Sequence, residues 1–148
     1  MSSIVCATRG GEGSRAVQIA AIRRARAEEK PLIFLYVTDP ATLGDFDETL
    51  LPAVREELNW MGKTLLNIAR HRAELANLKA DVAIRMGNVQ EEISRFLQER
   101  DASVLMLGAP RSSTANVFGD SAIEGFALSI EEKTGIPVEI VRPESVRE

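Results

Sequence analysis

Short apolar runs alternate with helical patterns along the chain, and this alternation constrains the fold more than any other feature. Largely apolar runs occur at residues 3–8, 32–37 and 104–107, and a last short strand, which contains Glu139, is predicted at residues 138–141. Runs of this kind are typical of strands buried on both faces of a parallel sheet. Between them, apolar residues recur at helical spacing. The pattern predicts an α/β fold with an open, mostly parallel sheet flanked by helices on both faces.

Two segments between these runs have distinct patterns. From Leu78 to Met86, apolar and polar residues alternate, which predicts a strand at a sheet edge with one wetter face. The longest helical pattern begins near Pro52, a residue tolerated in the first turn of a helix. Trp60 lies beside its apolar stripe, at the border of the stripe or at a partner surface. The stripe comprises Leu51, Val54, Leu58, Met61, Leu65 and Ile68 and reaches Arg72.

The stretch after residue 104 predicts an anion-binding loop. Its apolar run ends at Gly108 and opens into a polar loop, and Gly119, Asp120 and Ser121 then lead into a helical pattern. Free backbone amides and the positive end of a helix dipole favour anions at such a position. Ligands of open α/β sheets bind beyond the carboxyl ends of the strands. We therefore expect the site at the loops after the first, second and fourth strands.

Composition narrows the classes of function. The chain has 148 residues, 27% of them charged, and a net charge of −4, which gives no basic footprint for nucleic acid. No apolar run is long enough to span a membrane and no signal peptide is evident, so we expect a cytoplasmic protein that binds neither membrane nor nucleic acid. Residues 1–143 are predicted to form one domain and residues 144–148 a polar tail. The lone Cys6 is expected to be a buried thiol.

Other site types have weaker support. Residues 11–16 spell G-x-G-x-x-A and Asp39 follows the second strand, as in dinucleotide-binding proteins, but Gly10 lengthens the turn and no second domain follows. Residues 10–14 partly resemble the pyrophosphate loop of ATP pyrophosphatases, although Thr8 and Gly13 replace the expected serine and aspartate. His71 is the only histidine, so neither a metal site nor a Ser/His/Asp set is assigned. The P-loop motif is absent.

Taken together, these segments resemble the universal stress protein family over nearly the whole chain. The resemblance is carried by residues 4–8 with the following glycine turn, 35–40, Gly87 with the helix after it, 101–108, 119–121 and 134–141. It implies a Rossmann-like sheet with strand order 3-2-1-4-5. It also implies a homodimer formed through the last strand, for which Val138 and Ile140 are the candidate interface residues. One class of the family binds ATP through a G-x2-G-x9-G-[ST] loop after the fourth strand.

The chain departs from that ATP-binding pattern. Gly108 and Gly119 match the first and third glycines, but Arg111 replaces the second and the loop is two residues shorter. Asp120 stands where serine or threonine is expected, and a carboxylate there opposes a phosphate by roughly 1 kcal/mol or more. Arg9 replaces the usual aspartate, and two guanidinium groups can bind phosphate. Three readings stay open: ATP with Mg²⁺, another phosphate-bearing ligand held by Arg9 and Arg111, or an empty site with an arginine paired to Asp120.

The resemblance implies that the protein is a binding or regulatory module of the stress response, one that binds ATP or another phosphate-bearing nucleotide without hydrolysing it. A nucleotide-hydrolysing or nucleotide-transferring enzyme is the alternative, with Asp39 and Asp120 as the only nearby acids, and a ligand-free dimeric partner-binding protein is the third. No catalytic or metal residue is assigned. The candidate nucleotide-binding residues are Ala7, Thr8, Arg9, Val37, Asp39, Leu107, Gly108, Arg111, Gly119, Asp120 and Ser121.

Overall fold

The computed structural model describes residues 2–9, 12–44, 47–109 and 121–146. Five strands alternate with four helices through these ranges, as the periodicity of the sequence predicts. Three short 3-10 helices, Pro40–Leu43, Glu48–Leu50 and Pro143–Ser145, complete the connections. The elements are β1 (Ser3–Ala7), α1 (Glu12–Glu28), β2 (Leu32–Thr38), α2 (Leu51–Leu75), β3 (Asp81–Met86), α3 (Val89–Glu99), β4 (Ala102–Gly108), α4 (Ser121–Thr134) and β5 (Val138–Val141).

The strands form one parallel sheet in the order β3-β2-β1-β4-β5, which confirms the predicted fold. β1 lies at the centre, where Val5 pairs with Ile33 of β2 and with Leu105 of β4. Side chains alternate across the sheet, so Ile4 and Cys6 join a core beneath α1 and α2. Val5 joins the opposite core, beneath α3 and α4. Burial on both faces explains the unbroken apolar runs.

β3 is an edge strand, as expected, but it is shorter than its alternating pattern. The strand begins at Asp81 and not at Leu78. The preceding residues are taken up by the end of α2: the Leu78 amide donates to the Ala73 carbonyl (2.9 Å) and Asn77 has a φ of 60°. The residues before Asp81 therefore satisfy the last carbonyls of α2 and do not pair with β2.

α2 places only part of its apolar stripe against the sheet. Its buried face includes three small residues, and a Cβ added to Gly62 would lie 2.7 Å from the Tyr36 ring, so the helix sits close to β2. That close approach favours small residues toward the sheet and turns Met61 and Ile68 to the surface, where about half of each side chain is exposed. The buried residues of the helix are Leu58, Gly62, Leu66, Ala69 and Ala73.

The C-terminal segment packs against the domain. β5 pairs with β4 and forms the second edge of the sheet. After it, Pro143 is buried and Val146 packs against the core beneath α1. The proposed boundary between a domain ending at residue 143 and a polar tail stays a prediction. Among the described residues, no helix has the length and apolar character needed to cross a bilayer.

Candidate functional site

A cavity of about 370 Å³ opens at the carboxyl ends of β1, β2 and β4. This volume falls within the range of about 300–1,000 Å³ found for small-molecule sites. Strand alternation turns Ala7, Leu35 and Leu107 toward the α3–α4 side of the sheet, where the cavity lies. The cavity therefore lies at the edge of the sheet where the sequence predicts the site.

The start of α1 and the end of β4 touch backbone to backbone beside the cavity. A Cβ added to Gly108 would lie 2.5 Å from the Gly13 carbonyl oxygen, and one added to Gly13 would lie 2.7 Å from the Ala109 carbonyl oxygen. Neither distance accommodates a side chain. The absence of a Cβ at these two glycines lets the segments after β1 and β4 meet on one side of the sheet.

Hydrogen bonds hold the end of β1 in place. The Arg9 amide donates to Ser14 Oγ (3.0 Å), which joins the turn after β1 to the first turn of α1. The Gln18 side chain donates from Nε2 to Thr8 Oγ1 (2.6 Å) and accepts at Oε1 from Arg72 of α2. Thr8 and Gln18 are buried, so these bonds satisfy polar groups removed from water. The floor of the cavity is thereby fixed to both helices on the opposite face.

The wall of the cavity is apolar and comes from two helices. α3 contributes Val89 and Ile93, and α4 contributes Ala122, Ile123 and Phe126. None of these five residues is among the candidate site residues that the sequence predicts. The i, i+4 pair at the very start of α3 could have indicated them, because the first turn after β3 lies at the ligand edge of the sheet. Apolar walls around a few polar groups are typical of small-molecule sites.

The structure brings six of the predicted site residues together and leaves one apart. Asp39 is not among the residues that line the cavity; its Oδ1 accepts from the Ala41 amide (3.0 Å) and caps a short 3-10 helix. Arg111, Gly119 and Asp120 lie outside the described residues, and Ser121 is the first residue of α4. The six that line the cavity are Ala7, Thr8, Arg9, Val37, Leu107 and Gly108.

Positive charge dominates the described lining. Arg9 is exposed at the mouth, and it is the one ionisable side chain among the described residues that line the cavity. Its guanidinium can bind a phosphate or carboxylate in two-pronged fashion. In the described ranges, no group of three or more His, Cys, Asp and Glu side chains is placed to hold a metal ion. The arrangement suits a ligand that carries an anionic group on a body that apolar side chains can contact.

Comparison with known families agrees with this geometry. The family model described as the universal stress protein family matches residues 1–127, which include β1, β2 and β4, the strands whose carboxyl ends border the cavity. The chain belongs to the universal stress protein family. No curated protein sequence matches it significantly.

Solved structures of universal stress proteins share the fold at low sequence identity. A family member from Burkholderia pseudomallei is 22% identical over 95% of each chain, with a TM-score of 0.69. An Arabidopsis thaliana family protein with AMP bound is 11% identical, with a TM-score of 0.68, over 96% of this chain and 92% of that one. The Archaeoglobus fulgidus universal stress protein in complex with dAMP is 17% identical, with a TM-score of 0.61, over 95% of this chain and 97% of that one.

Proposed function

We propose that this universal stress protein is a nucleotide-binding regulatory module that holds an adenine nucleotide in the cavity at the carboxyl ends of β1, β2 and β4. The observation that carries the proposal is an apolar slot between α3 and α4 in which Arg9 is the one ionisable side chain among the described lining residues. Two structures of the same fold contain AMP or dAMP. The base would lie among Val37, Ile93 and Phe126, and the phosphate would face Arg9.

The proposal favours a ligand whose charge is neutralised by arginine. Arg9 stands where the family usually has an aspartate, so a cation of the protein faces the phosphate in place of a carboxylate that could hold Mg²⁺. Mg²⁺ therefore distinguishes two modes of binding. If the nucleotide binds as its Mg²⁺ complex, removing Mg²⁺ should lower the affinity. If Arg9 and Arg111 hold the phosphate, the affinity should be the same with or without Mg²⁺.

Calorimetric titration with AMP and ATP, with and without Mg²⁺, tests the binding function. Arg9→Ala should weaken binding about 10- to 100-fold, because a hydrogen bond to a charged group contributes about 1.5–3 kcal/mol. Arg26→Ala, in the last turn of α1, makes the same charge change at the other end of the helix and should bind like the wild type. Equal loss in both variants, or no binding by the wild type, would contradict the proposal.

A cavity-filling variant tests the contribution of the apolar slot to binding separately from that of the Arg9 charge. Ala122 is exposed and lines the cavity, so Ala122→Trp should occupy the slot and abolish binding while leaving the free energy of unfolding nearly unchanged. Ala27→Trp, at an exposed position of α1, is the matched control. Phosphate release from ATP, measured alongside, should stay at background. Turnover would favour the enzyme over the regulatory module.

We also propose that the protein is a cytoplasmic homodimer of the stress response, paired through β5. Val138 and Ile140 lie half-buried on the free edge strand, and Glu139 forms an ion pair with Arg24 of α1, which reduces the repulsion that its charge would bring to a strand pair. The Val138 amide donates to the Glu131 carboxylate (3.3 Å), so one donor of the edge is already capped.

A proline at the free edge tests this pairing. Alternation makes the Ile140 amide face the same way as that of Val138, away from β4. Ile140→Pro removes that donor and should leave a protein with half the wild-type mass in sedimentation equilibrium. Glu144→Pro, beyond the strand, is the control. An unchanged mass for Ile140→Pro would contradict pairing through β5.

A further inference from the structure

α2 carries an apolar row that faces solvent. Val54, Met61, Ile68 and Leu75 recur every seven residues, and the exposed fractions of the last three are 47%, 51% and 74%. The row spans 21 residues, or about 32 Å at 1.5 Å per residue. Trp60, 64% exposed, lies at its margin. A shallow groove of about 480 Å³ runs beside Ile68 and Leu75. We call these five residues the α2 row.

The polar residues between these positions repeat with the same spacing. Glu57, Thr64 and His71 alternate with the apolar residues at steps of three and four, the spacing of a helix that packs along another helix. Thr64 Oγ1 donates to the Trp60 carbonyl (3.0 Å), so the hydroxyl has an acceptor within the helix. The Thr64 methyl group can then face a partner. Glu57 has no ion-pair partner among the described residues.

We propose that the α2 row is an interface with a second copy of this chain, the two α2 helices packing antiparallel about a twofold axis near Thr64. In this arrangement Met61 of one copy faces Ile68 of the other, and Val54 faces Leu75. Glu57 then lies at the level of His71, with Arg72 beside it. Along the helix, the acidic Glu57 lies before the axis and the basic pair of His71 and Arg72 lies after it. The second copy runs in the opposite direction, so each acid lies against a basic group, and the two copies present the same complementary surface, as a twofold interface requires.

Charge selects the antiparallel arrangement. A parallel pair would place Glu57 against Glu57 and Arg72 against Arg72, and like charges in contact oppose association. Arg72 is anchored by its bond to the Gln18 side chain, so its positive charge is held at the border of the row. α2 covers β2 and β3, whereas β5 is the opposite edge strand, so this interface does not compete with pairing through β5. It is also independent of nucleotide binding.

Cysteine cross-linking tests the twofold axis directly. Thr64→Cys should give a covalent dimer with a short bis-maleimide, because the two cysteines would face each other across the axis. Lys63→Cys, one residue away and on another side of the helix, should give no covalent dimer under the same conditions. The native Cys6 is buried and should not react. Absence of the Thr64→Cys dimer, or an equal yield from Lys63→Cys, would overturn the proposal.

Charge reversal distinguishes a second copy from another protein. In the Thr64→Cys background, Ile68→Glu or Glu57→Lys should reduce the cross-linked dimer at least 10-fold, and Glu57→Lys combined with His71→Glu should restore it. Leu128→Glu, an equally exposed position on α4, should leave the yield unchanged. Circular dichroism checks that each variant is folded. Failure of the double reversal to recover the dimer would exclude the antiparallel pairing, and a yield insensitive to Ile68→Glu would exclude the row as the interface.

Discussion

At the scale of single residues, the contact between Gly13 and Gly108 holds the candidate site together. Any side chain at Gly108 would lie within 2.5 Å of the Gly13 carbonyl oxygen, and backbone atoms cannot swing aside as a flexible side chain can. The first glycine of the family's nucleotide loop therefore has a packing role that does not depend on a ligand. Its substitution should affect the unliganded protein.

Gly108→Ala should destabilise the fold by about 1–3 kcal/mol, the usual cost of overpacking, and weaken any ligand bound in the cavity. Gly125→Ala is the control: its added Cβ meets no atom within 4 Å, and alanine in a helix is favoured by about 0.5–1 kcal/mol. Urea unfolding measures both. A Gly108→Ala variant as stable as the wild type would contradict the close backbone contact.

Burial controls the chemistry of Cys6. Removal from water raises the pKa of the Cys6 thiol far above its usual range, so the thiol stays protonated in the native protein. The unfolded chain, whose thiol has a pKa of about 8.5, loses the proton first. Stability from this group is thus fully present below about pH 8.5 and falls above it by up to about 1.4 kcal/mol per pH unit.

Two measurements check this prediction for Cys6. The native thiol should not react with a disulfide reagent at pH 8 and should react fully in denaturant. In Cys6→Ala, the decline in unfolding free energy between pH 8.5 and 10 should be shallower than in the wild type. Rapid labelling of the folded protein, or identical pH slopes, would show that Cys6 is accessible.

At the scale of elements, the start of α3 shapes one wall of the cavity. Asn88 caps the helix, its Oδ1 accepting from the Glu91 amide (3.0 Å), and the two residues that α3 gives to the cavity follow within one turn and a half. Asn88→Ala should therefore cost about 1 kcal/mol of unfolding free energy.

The same substitution should weaken nucleotide binding modestly, because a frayed first turn moves Val89. Asn67→Ala, on the exposed surface of α2, should leave both stability and affinity near wild-type values. Urea midpoints and calorimetry on the two variants provide the comparison. Equal stability of Asn88→Ala and the wild type would mean that the cap contributes nothing to the helix.

Elements were predictable from the sequence where one physical requirement dominates. The central strands are buried on both faces, so their apolar runs indicate them directly. Gly135, with a φ of 73°, follows α4, where glycine commonly ends a helix. α2 was less predictable, because its apolar residues exceed what one face can bury. Which of them meet the sheet depends on the close approach at Gly62, a tertiary contact that periodicity does not contain.

At the scale of the whole molecule, the strand order of the sheet determines where the candidate site lies, and the direction of each side chain determines which residues line it. Parallel strands bring the ends of β1, β2 and β4 to one edge, and six candidate residues lie around the cavity there. Asp39 has the right position in the chain, yet its carboxylate is used by a local turn. The helical wall was not predicted, because apolar residues that line a cavity and apolar residues that face the core have the same sequence pattern.

The most direct test of the account is a map of where AMP contacts the folded protein. Backbone amide NMR spectra recorded during a titration report each residue separately. We predict that the largest shifts fall on Thr8, Arg9, Val37 and Gly108, with smaller ones on Ile93 and Phe126, and none on the α2 row. Shifts confined to other surfaces, or saturating AMP without any shift at the ends of β1 and β4, would contradict the assignment of the nucleotide site.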